Sequence, residues 1–131
     1  MKTWDTNFLL RHLLEDDPAQ LAIVRRELAH VEDAGATVFL PQIVLVETAW
    51  YLRGLLSRVA VLDTLQEVLD DRRFACERPD EVKSAIRDAR RKGDFSDHLI
   101  AASARAAAAT PVQTFDKALR GFAAFEIAMP G

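Results

Sequence analysis

The chain has 131 residues, of which 50% are apolar and 28% charged, a composition typical of one globular domain. Its net charge of −3 and isoelectric point near 5.6 argue against a broad basic face for nucleic acid, although contact with phosphates through a bound cation stays open. The single cysteine, Cys76, excludes an internal disulfide, and without a signal-peptide pattern or an apolar run of about eighteen residues the chain is predicted to be cytoplasmic, with no membrane span.

The first part of the chain is predicted to alternate strands with amphipathic helices. Residues 1–5 form a short strand, and a helix follows at once. A second helix begins at Pro18, because proline suits the first helical turn, and it ends near Gly35, a natural helix C-cap. The second strand covers residues 36–40, and the next helix begins at Pro41.

Glu47 lies in this third helix among apolar neighbours. The residues three and four positions away are Ile43, Val44, Trp50 and Tyr51. A carboxylate buried among such side chains is costly unless it has a partner. The pattern therefore favours a core ion pair or a cation ligand over a solvated surface glutamate.

Two further helices and a short edge strand, at residues 74–76, occupy the middle of the chain. The helix over residues 58–70 is predicted to bury an apolar stripe of Val59, Leu62, Leu65 and Leu69. The helix from Pro79 to Lys92 is polar except for Val82, Ala85, Ile86 and Ala89. Its cationic end, residues 90–92, is interpreted as a cap favoured by the helix dipole, with an RNA-phosphate contact as the alternative.

The chain is organised around the segment after Gly93, which is predicted to begin a buried, alanine-rich helix that continues to Ala109. Asp94 and Asp97 are three residues apart, so both lie on one side of its opening turn. The helix dipole favours acids there, which would explain them without any function. The alternative is that Asp97 helps to hold a divalent cation.

The last part of the chain is predicted to add strands over residues 111–115 and 125–129, with a short helix between them. The alternation of elements predicts an α/β domain over residues 1–131, with a central, mostly parallel sheet of about four to five strands flanked by helices on both faces. In such sheets, functional groups collect beyond the carboxyl ends of the strands. Asp5 and Asp116 each follow a predicted strand directly.

Four acids, if they meet, would form a strongly negative pocket: Asp5, Glu47, Asp97 and Asp116. Like charges at close range oppose folding unless something compensates them. Oxygen ligands suit Mg²⁺ or Mn²⁺ and argue against zinc, which prefers cysteine and histidine. A carboxylate beside a metal-bound water can orient that water or take its proton, which is the chemistry of phosphodiester hydrolysis without a protein nucleophile.

Other chemistries fit the sequence less well. It contains no Ser-His-Asp signature and no glycine-rich phosphate loop, and the segment after Asp5 lacks the second aspartate of a haloacid-dehalogenase-type phosphatase. His12, His30 and His98 show no metal-ligand spacing and are interpreted as surface or locally hydrogen-bonded residues. Because His98 adjoins Asp97, it is kept as a weak candidate for substrate contact.

Four segments of the chain form an ordered set. They are Asp5-Thr6-Asn7 with Leu9-Leu10-Arg11 and Asp16-Asp17-Pro18, then Val46-Glu47-Thr48-Ala49-Trp50, then Asp94-Phe95-Ser96-Asp97-His98-Leu99-Ile100-Ala101-Ala102, then Thr114-Phe115-Asp116. This set resembles the PIN-domain ribonucleases, most closely the VapC-type toxins of bacterial toxin–antitoxin pairs, and covers essentially the whole chain. Trp4 departs from the family pattern, which usually has a smaller aliphatic residue there.

The resemblance implies a PIN-like fold and a Mg²⁺- or Mn²⁺-dependent endoribonuclease. Its acidic cluster would be Asp5, Glu47, Asp97 and Asp116, with Asp94 as an accessory acid and with Asn7 and Thr114 as polar supports that orient the carboxylates. The resemblance also implies a homodimer, a small antitoxin partner whose arginine-bearing tail enters the acidic groove, and structured RNA such as tRNA as the substrate.

Two other functions stay open at this point. A PIN-like fold could bind RNA or a protein partner without cleaving anything, although four costly carboxylates argue against a non-catalytic module. A metal-dependent nuclease acting on DNA or flap structures is the other alternative. The short chain argues against it, because such substrates require additional loops.

Overall fold

Five short strands and six α-helices alternate along residues 1–129, the part of the chain that the computed structural model describes. In chain order they are β1 (Lys2–Thr3), α1 (Thr6–Leu14), α2 (Pro18–Asp33), β2 (Val38–Leu40), α3 (Gln42–Arg53), α4 (Arg58–Asp70), β3 (Phe74–Cys76), α5 (Pro79–Arg91), α6 (Phe95–Ala106), β4 (Val112–Thr114) and β5 (Phe125–Ile127), with a 3₁₀ turn at Lys117–Leu119. The predicted α/β fold class is confirmed. None of the helices in this range combines the length and the apolar character needed to cross a membrane.

All strand pairs are parallel, as the sequence predicts. One sheet has the order β1-β2-β3, with Lys2 paired to Val38 and Val38 paired to Phe74. The second sheet consists of β4 and β5, with Val112 paired to Phe125. Over the described residues, the five strands therefore pair in two sets and not in one continuous sheet. Each strand is two or three residues long, so each ladder contains few hydrogen bonds.

The described chain divides into two compact units, Met1–Pro79 and a second unit that begins at Asp80. The first unit buries, among others, Leu9, Leu10, Val24, Leu40, Leu45, Leu52 and Leu65. The second unit buries Val82, Ala85, Ile86, Ala89, Leu99, Ala101 and Leu119. The prediction of a single domain over 1–131 concerns how these units combine, and it stays a prediction. The last two residues of the predicted domain, Pro130 and Gly131, lie outside the described residues.

The buried faces of α4 and α5 test the predicted apolar stripes. In α5 the predicted stripe is confirmed, because the buried residues are the four predicted apolar ones, Val82, Ala85, Ile86 and Ala89. In α4 the predicted stripe is wrong at Val59, which is 62% exposed, whereas Val61 and Val68 are buried. α4 carries more apolar residues than one helix face holds, so helical spacing alone does not identify the buried set.

The alanine-rich helix α6 is buried only in its first part. Phe95, Leu99 and Ala102 are buried, whereas residues 105–109 are exposed, and the helix ends at Ala106. The prediction of a buried helix that continues to Ala109 is therefore wrong for the C-terminal part. Alanine carries little apolar area, so exposing these side chains costs little free energy.

Cys76 ends β3 and is buried, as predicted for a small core residue. Burial in apolar surroundings disfavours the thiolate and raises the pKa of the Cys76 thiol to about 11. The thiol is therefore protonated at neutral pH and has little nucleophilic character.

Candidate functional site

Asp5 is the residue at which β1 gives way to α1. The Trp4 N–H still bonds to the Phe39 carbonyl of β2, whereas the Asp5 carboxylate accepts a hydrogen bond from the Phe8 N–H at 2.9 Å. This bond satisfies one of the N–H groups that have no partner within the helix. Because Asp5 is exposed, its carboxylate caps α1 and also contacts solvent.

Glu47 lies on the exposed side of α3, which corrects the prediction that it is a buried carboxylate. Its helical neighbours Ile43 and Trp50 are 62% and 60% exposed, and Tyr51 is also exposed. The buried side of α3 carries Val44, Leu45, Thr48, Ala49 and Leu52. α3 is apolar on nearly every side, so apolar neighbours do not indicate whether a given position faces the core.

A short hydrogen bond joins Glu47 to the first turn of α1. The Thr6 hydroxyl donates to Glu47 Oε1 at 2.6 Å, and Thr6 directly follows Asp5. The two acids predicted in the first unit therefore lie at the same helix end. A hydroxyl bond to a carboxylate at this distance is charge-assisted and strong. Asn7, the predicted polar support, is exposed beside them, and its role stays a prediction.

Asp97 occupies the first turn of α6 in the second unit, after Asp94, which is the N-cap residue. Its side chain is neither fully buried nor fully exposed. Partial burial raises the pKa of the Asp97 carboxyl, and the carboxylates of Asp94 and Asp116 raise it further, whereas His98 acts in the opposite direction. The second unit thus places three of the predicted acids within electrostatic reach of one another.

Asp116 follows β4, where the sequence predicts a functional residue. Its carboxylate accepts a hydrogen bond from the Ala118 N–H at 2.9 Å and caps the 3₁₀ turn. The Asp116 N–H donates to Thr114 Oγ1 at 3.1 Å. Thr114 was predicted to orient carboxylates, and it bonds to the backbone of Asp116, so it fixes the acid through the main chain.

A contact between Gly93 and His98 holds the segment before α6, and the sequence reasoning missed it. His98 is 1% exposed, and its Nε2 lies 2.6 Å from the Lys92 carbonyl oxygen, which confirms a local hydrogen bond and excludes a surface position. Gly93 has φ of +91°, and a Cβ there would lie 2.8 Å from His98 Nε2 and 2.8 Å from Leu119 Cδ2. The helical spacing of His98 from the buried Ala102 is the signal that could have predicted its burial.

A metal at this site would need few protein ligands. Among residues 1–129, no group of three or more histidine, cysteine, aspartate or glutamate side chains is arranged to hold a metal ion. Mg²⁺ keeps several waters and commonly uses one or two carboxylates together with substrate phosphates. In the second unit, Asp97 and Asp116 are the carboxylates within electrostatic reach of each other that would hold such a hydrated Mg²⁺ or Mn²⁺ ion.

Comparison with known families supports the resemblance to PIN domains. The family described as PIN domain matches residues 3–124 of the chain. No curated protein and no solved structure matches it. The matched range contains all seven residues predicted for the acidic cluster and its supports, from Asp5 to Asp116.

Proposed function

Because the chain belongs to the PIN domain family, we propose that it is a Mg²⁺- or Mn²⁺-dependent endoribonuclease and the toxin of a toxin–antitoxin pair. PIN domains are commonly nucleases, which gives the class of reaction. The observation that carries the proposal is the electrostatic grouping of Asp94, Asp97 and Asp116 in the second unit.

This grouping costs folding free energy. Like charges raise one another's pKa because each disfavours the ionised form of the others. Asp116 caps the 3₁₀ turn through its side chain, whereas Asp94 occupies the N-cap position of α6 without a side-chain cap hydrogen bond. Asp97 lies in the first turn of α6, where the helix dipole favours an acid, but the carboxylates of Asp94 and Asp116 oppose its ionisation. A divalent cation would turn the repulsion into attraction, which supports a metal-dependent role for these acids.

The proposed roles follow from the position of each acid. Asp97 and Asp116 would hold the cation, with Asp94 adding negative charge beside them. When bound, the cation supplies charge neutralisation for a phosphate and lowers the pKa of a coordinated water. Asp5 and Glu47 are the proposed catalytic acids of the first unit, where the Thr6 hydroxyl orients the Glu47 carboxylate. Whichever of these two carboxylates accepts a proton from the attacking water would act as the general base.

An exposed aromatic ring beside the acids supports a nucleic-acid substrate. Phe115 lies between Thr114 and Asp116, and it is 74% exposed. A phenylalanine so exposed contributes little to the core. Unstacked bases of single-stranded RNA stack on such rings, with a sequence-tolerant gain in affinity. Phe115 would therefore place a base next to the proposed metal site.

The direct test is cleavage of end-labelled RNA by the purified chain. We expect cleavage with Mg²⁺ or Mn²⁺, none with a chelator, and a fall of about a thousandfold in rate for Asp97→Asn. Asp33→Asn, which removes an exposed charge from α2, is the matched control and should cleave normally. Cleavage by Asp97→Asn at the wild-type rate would refute the proposal. Parallel assays on single-stranded DNA and flap substrates distinguish a deoxyribonuclease.

The toxin role needs a separate test. A small adjacent reading frame with a DNA-binding N-terminus and an arginine-containing tail is expected, and its product should bind the chain and inhibit cleavage. Light scattering should show a homodimer. Normal RNA cleavage with no such neighbouring gene and no inhibitor would retain the ribonuclease and remove the toxin assignment.

A further inference from the structure

The second unit contains a cleft on the side chains of α5, α6 and residues 121–125. Its volume is about 420 Å³, and we call it the arginine cleft. The residues that matter for its chemistry are Asp88, Arg91, Arg105, Thr110, Phe122 and Phe125. A volume in this range accommodates a small ligand or one unit of a polymer, whereas a helix or a strand of a partner protein needs a longer groove.

Arg105 is held in place at one side of the arginine cleft. Its guanidinium donates to Ser84 Oγ at 3.2 Å and lies 3.9 Å from a carboxylate oxygen of Asp88. The Asp88 carboxylate is also paired with Arg87 at 3.3 Å, so it neutralises neither arginine fully. The Arg105 side chain is 41% exposed and can therefore contact a ligand while its orientation is fixed.

Arg91 supplies a second cation. Its guanidinium carbon lies 4.6 Å from the centre of the Phe122 ring, a cation–π contact. Within the described range of 1–129, no carboxylate lies within ion-pairing distance of Arg91. The ring of Phe122 in turn packs on His98, with ring centres 4.6 Å apart. Arg91 is thus oriented by an aromatic ring and keeps its charge for an anion.

The charge around the arginine cleft is opposite to that of the whole chain. The net charge of the chain is −3, whereas the charged residues that line the cleft are Arg91, Arg105 and Asp88, which sum to +1. Guanidinium groups bind phosphate through paired N–H donors, and the rings of Phe122 and Phe125 add apolar wall for a sugar or a base. The cleft therefore offers cations to the phosphate of a nucleotide and an apolar wall to its sugar or base.

We propose that the arginine cleft binds one nucleotide of single-stranded RNA, with its phosphate on Arg91 and Arg105 and its base or sugar against Phe122. The choice of RNA as the source of the nucleotide rests on the proposed function. Arg105 lies eight residues after Asp97 along α6, a rise of about 12 Å at the α-helical spacing. The bound nucleotide is therefore one that flanks the cleavage point and not the one that is cut.

Binding of a fluorescein-labelled single-stranded oligoribonucleotide, measured by anisotropy in EDTA, tests the proposal. We expect the double variant Arg91→Ala, Arg105→Ala to bind at least about tenfold more weakly, with a salt slope lower by about 0.7 because the contact with one phosphate is lost. The corresponding lysine variants should keep most of the slope. Arg26→Ala, which removes an exposed arginine from α2, should bind like the wild type.

Competition experiments identify the ligand. Adenosine monophosphate should displace the labelled RNA from the cleft and adenosine should not, since the phosphate supplies the charge contact. Unchanged affinity and salt slope in the double variant, with an unchanged thermal melt, would overturn the proposal. Displacement by an acidic peptide as effective as that by the nucleotide would also overturn it, because the cleft would then bind anions in general.

A failure of RNA binding at the arginine cleft and a failure of RNA cleavage give different results in these experiments. EDTA prevents metal-dependent cleavage, so binding is measured without the reaction. A chain that binds RNA through the arginine cleft but never cleaves it would refute the proposed function alone. A chain that cleaves RNA while the double variant binds it normally would refute the cleft alone.

Discussion

The two units hold their acids in opposite ways. In the first unit, the Asp5 carboxylate accepts a hydrogen bond from a backbone N–H, and the Glu47 carboxylate accepts one from the Thr6 hydroxyl. Each carboxylate thus has a neutral donor. In the second unit, Asp97 is partly buried and interacts with two other carboxylates, which raises its pKa. Folding explains the first arrangement, since its bonds fix the start of α1. In the second arrangement the helix dipole favours Asp97 but the neighbouring carboxylates oppose its ionisation, and grouped charge of that kind is typical of functional sites.

One left-handed glycine in each unit, Gly35 and Gly93, shows a further difference in packing. Gly35 follows α2 with φ of +61°, and a Cβ there would meet nothing within 4 Å. Gly93 precedes α6 with φ of +91°, and a Cβ there would clash with His98 and Leu119. The turn beside the grouped acids is therefore packed, whereas the equivalent turn in the first unit is open.

The largest expected effect comes from exchanging these glycines. Gly93→Ala should lower the free energy of unfolding by about 3 kcal/mol, because a left-handed alanine and a steric clash both add cost. Gly35→Ala should cost only about 1 kcal/mol, since it meets backbone strain alone. Urea unfolding monitored by circular dichroism measures both. Equal losses in the two variants would show that the packing around Gly93 is not tight.

The Thr6 hydrogen bond gives the next largest effect. Thr6→Val removes the hydroxyl that Glu47 accepts, and it should destabilise the protein by about 1 kcal/mol. Glu47→Gln keeps an acceptor oxygen for the same hydroxyl and should cost less than half as much. The same unfolding assay measures both variants. If Glu47→Gln is the more damaging change, the carboxylate has a partner other than Thr6.

Asp97→Asn should raise the free energy of unfolding, in contrast to the variants above. Because the folded pKa of Asp97 is raised, its ionised form lowers stability at neutral pH, and this penalty disappears as the pH falls through that pKa. The variant should therefore be more stable by about 0.5 kcal/mol at neutral pH, with a smaller gain in acid. Thermal melts at the two pH values, with Asp33→Asn as the charge control, measure the difference. A destabilised variant would show that Asp97 is a structural residue.

The smallest effect concerns His12 in the first unit. Burial lowers the pKa of His12, the guanidinium of Arg73 lowers it further, and Asp71 and Glu15 partly oppose them. Its contribution to stability is therefore complete above the unfolded pKa of about 6.5 and is lost as the pH falls through the lower folded value. His12→Gln should flatten the dependence of stability on pH in this window. Urea titrations of both proteins across it are the measurement, and parallel curves would contradict the assignment.

How much of the fold was predictable depends on how clearly each helix separates apolar from polar positions. α5 alternates its four apolar residues with charged ones, so the sequence identifies its buried face. α3 has apolar residues almost all round, and only the folded chain shows that Ile43 and Trp50 are exposed. The predicted burial of Glu47 failed for this reason.

The positions of the candidate acids in the chain follow from the sequence, whereas their contacts do not, and the role of these acids stays a prediction. Strand ends and helix starts identified Asp5, Asp97 and Asp116 because such positions have a fixed relation to the chain. The Thr6 bond to Glu47 joins residues 41 positions apart, and no local pattern encodes that separation. The arginine cleft was equally hidden, because Arg91 and Arg105 only acquire a common function through their contacts with Phe122 and Asp88.

The single cysteine, which is buried, provides a probe of local opening of the fold. Cys76 ends the edge strand β3, and a thiol with a pKa near 11 reacts slowly with disulfide reagents while that strand stays paired. A chromogenic disulfide would therefore modify the native protein only through transient opening of β3, and the labelling rate would report the frequency of that opening. Since no second cysteine exists, every labelling event can be assigned without mutagenesis.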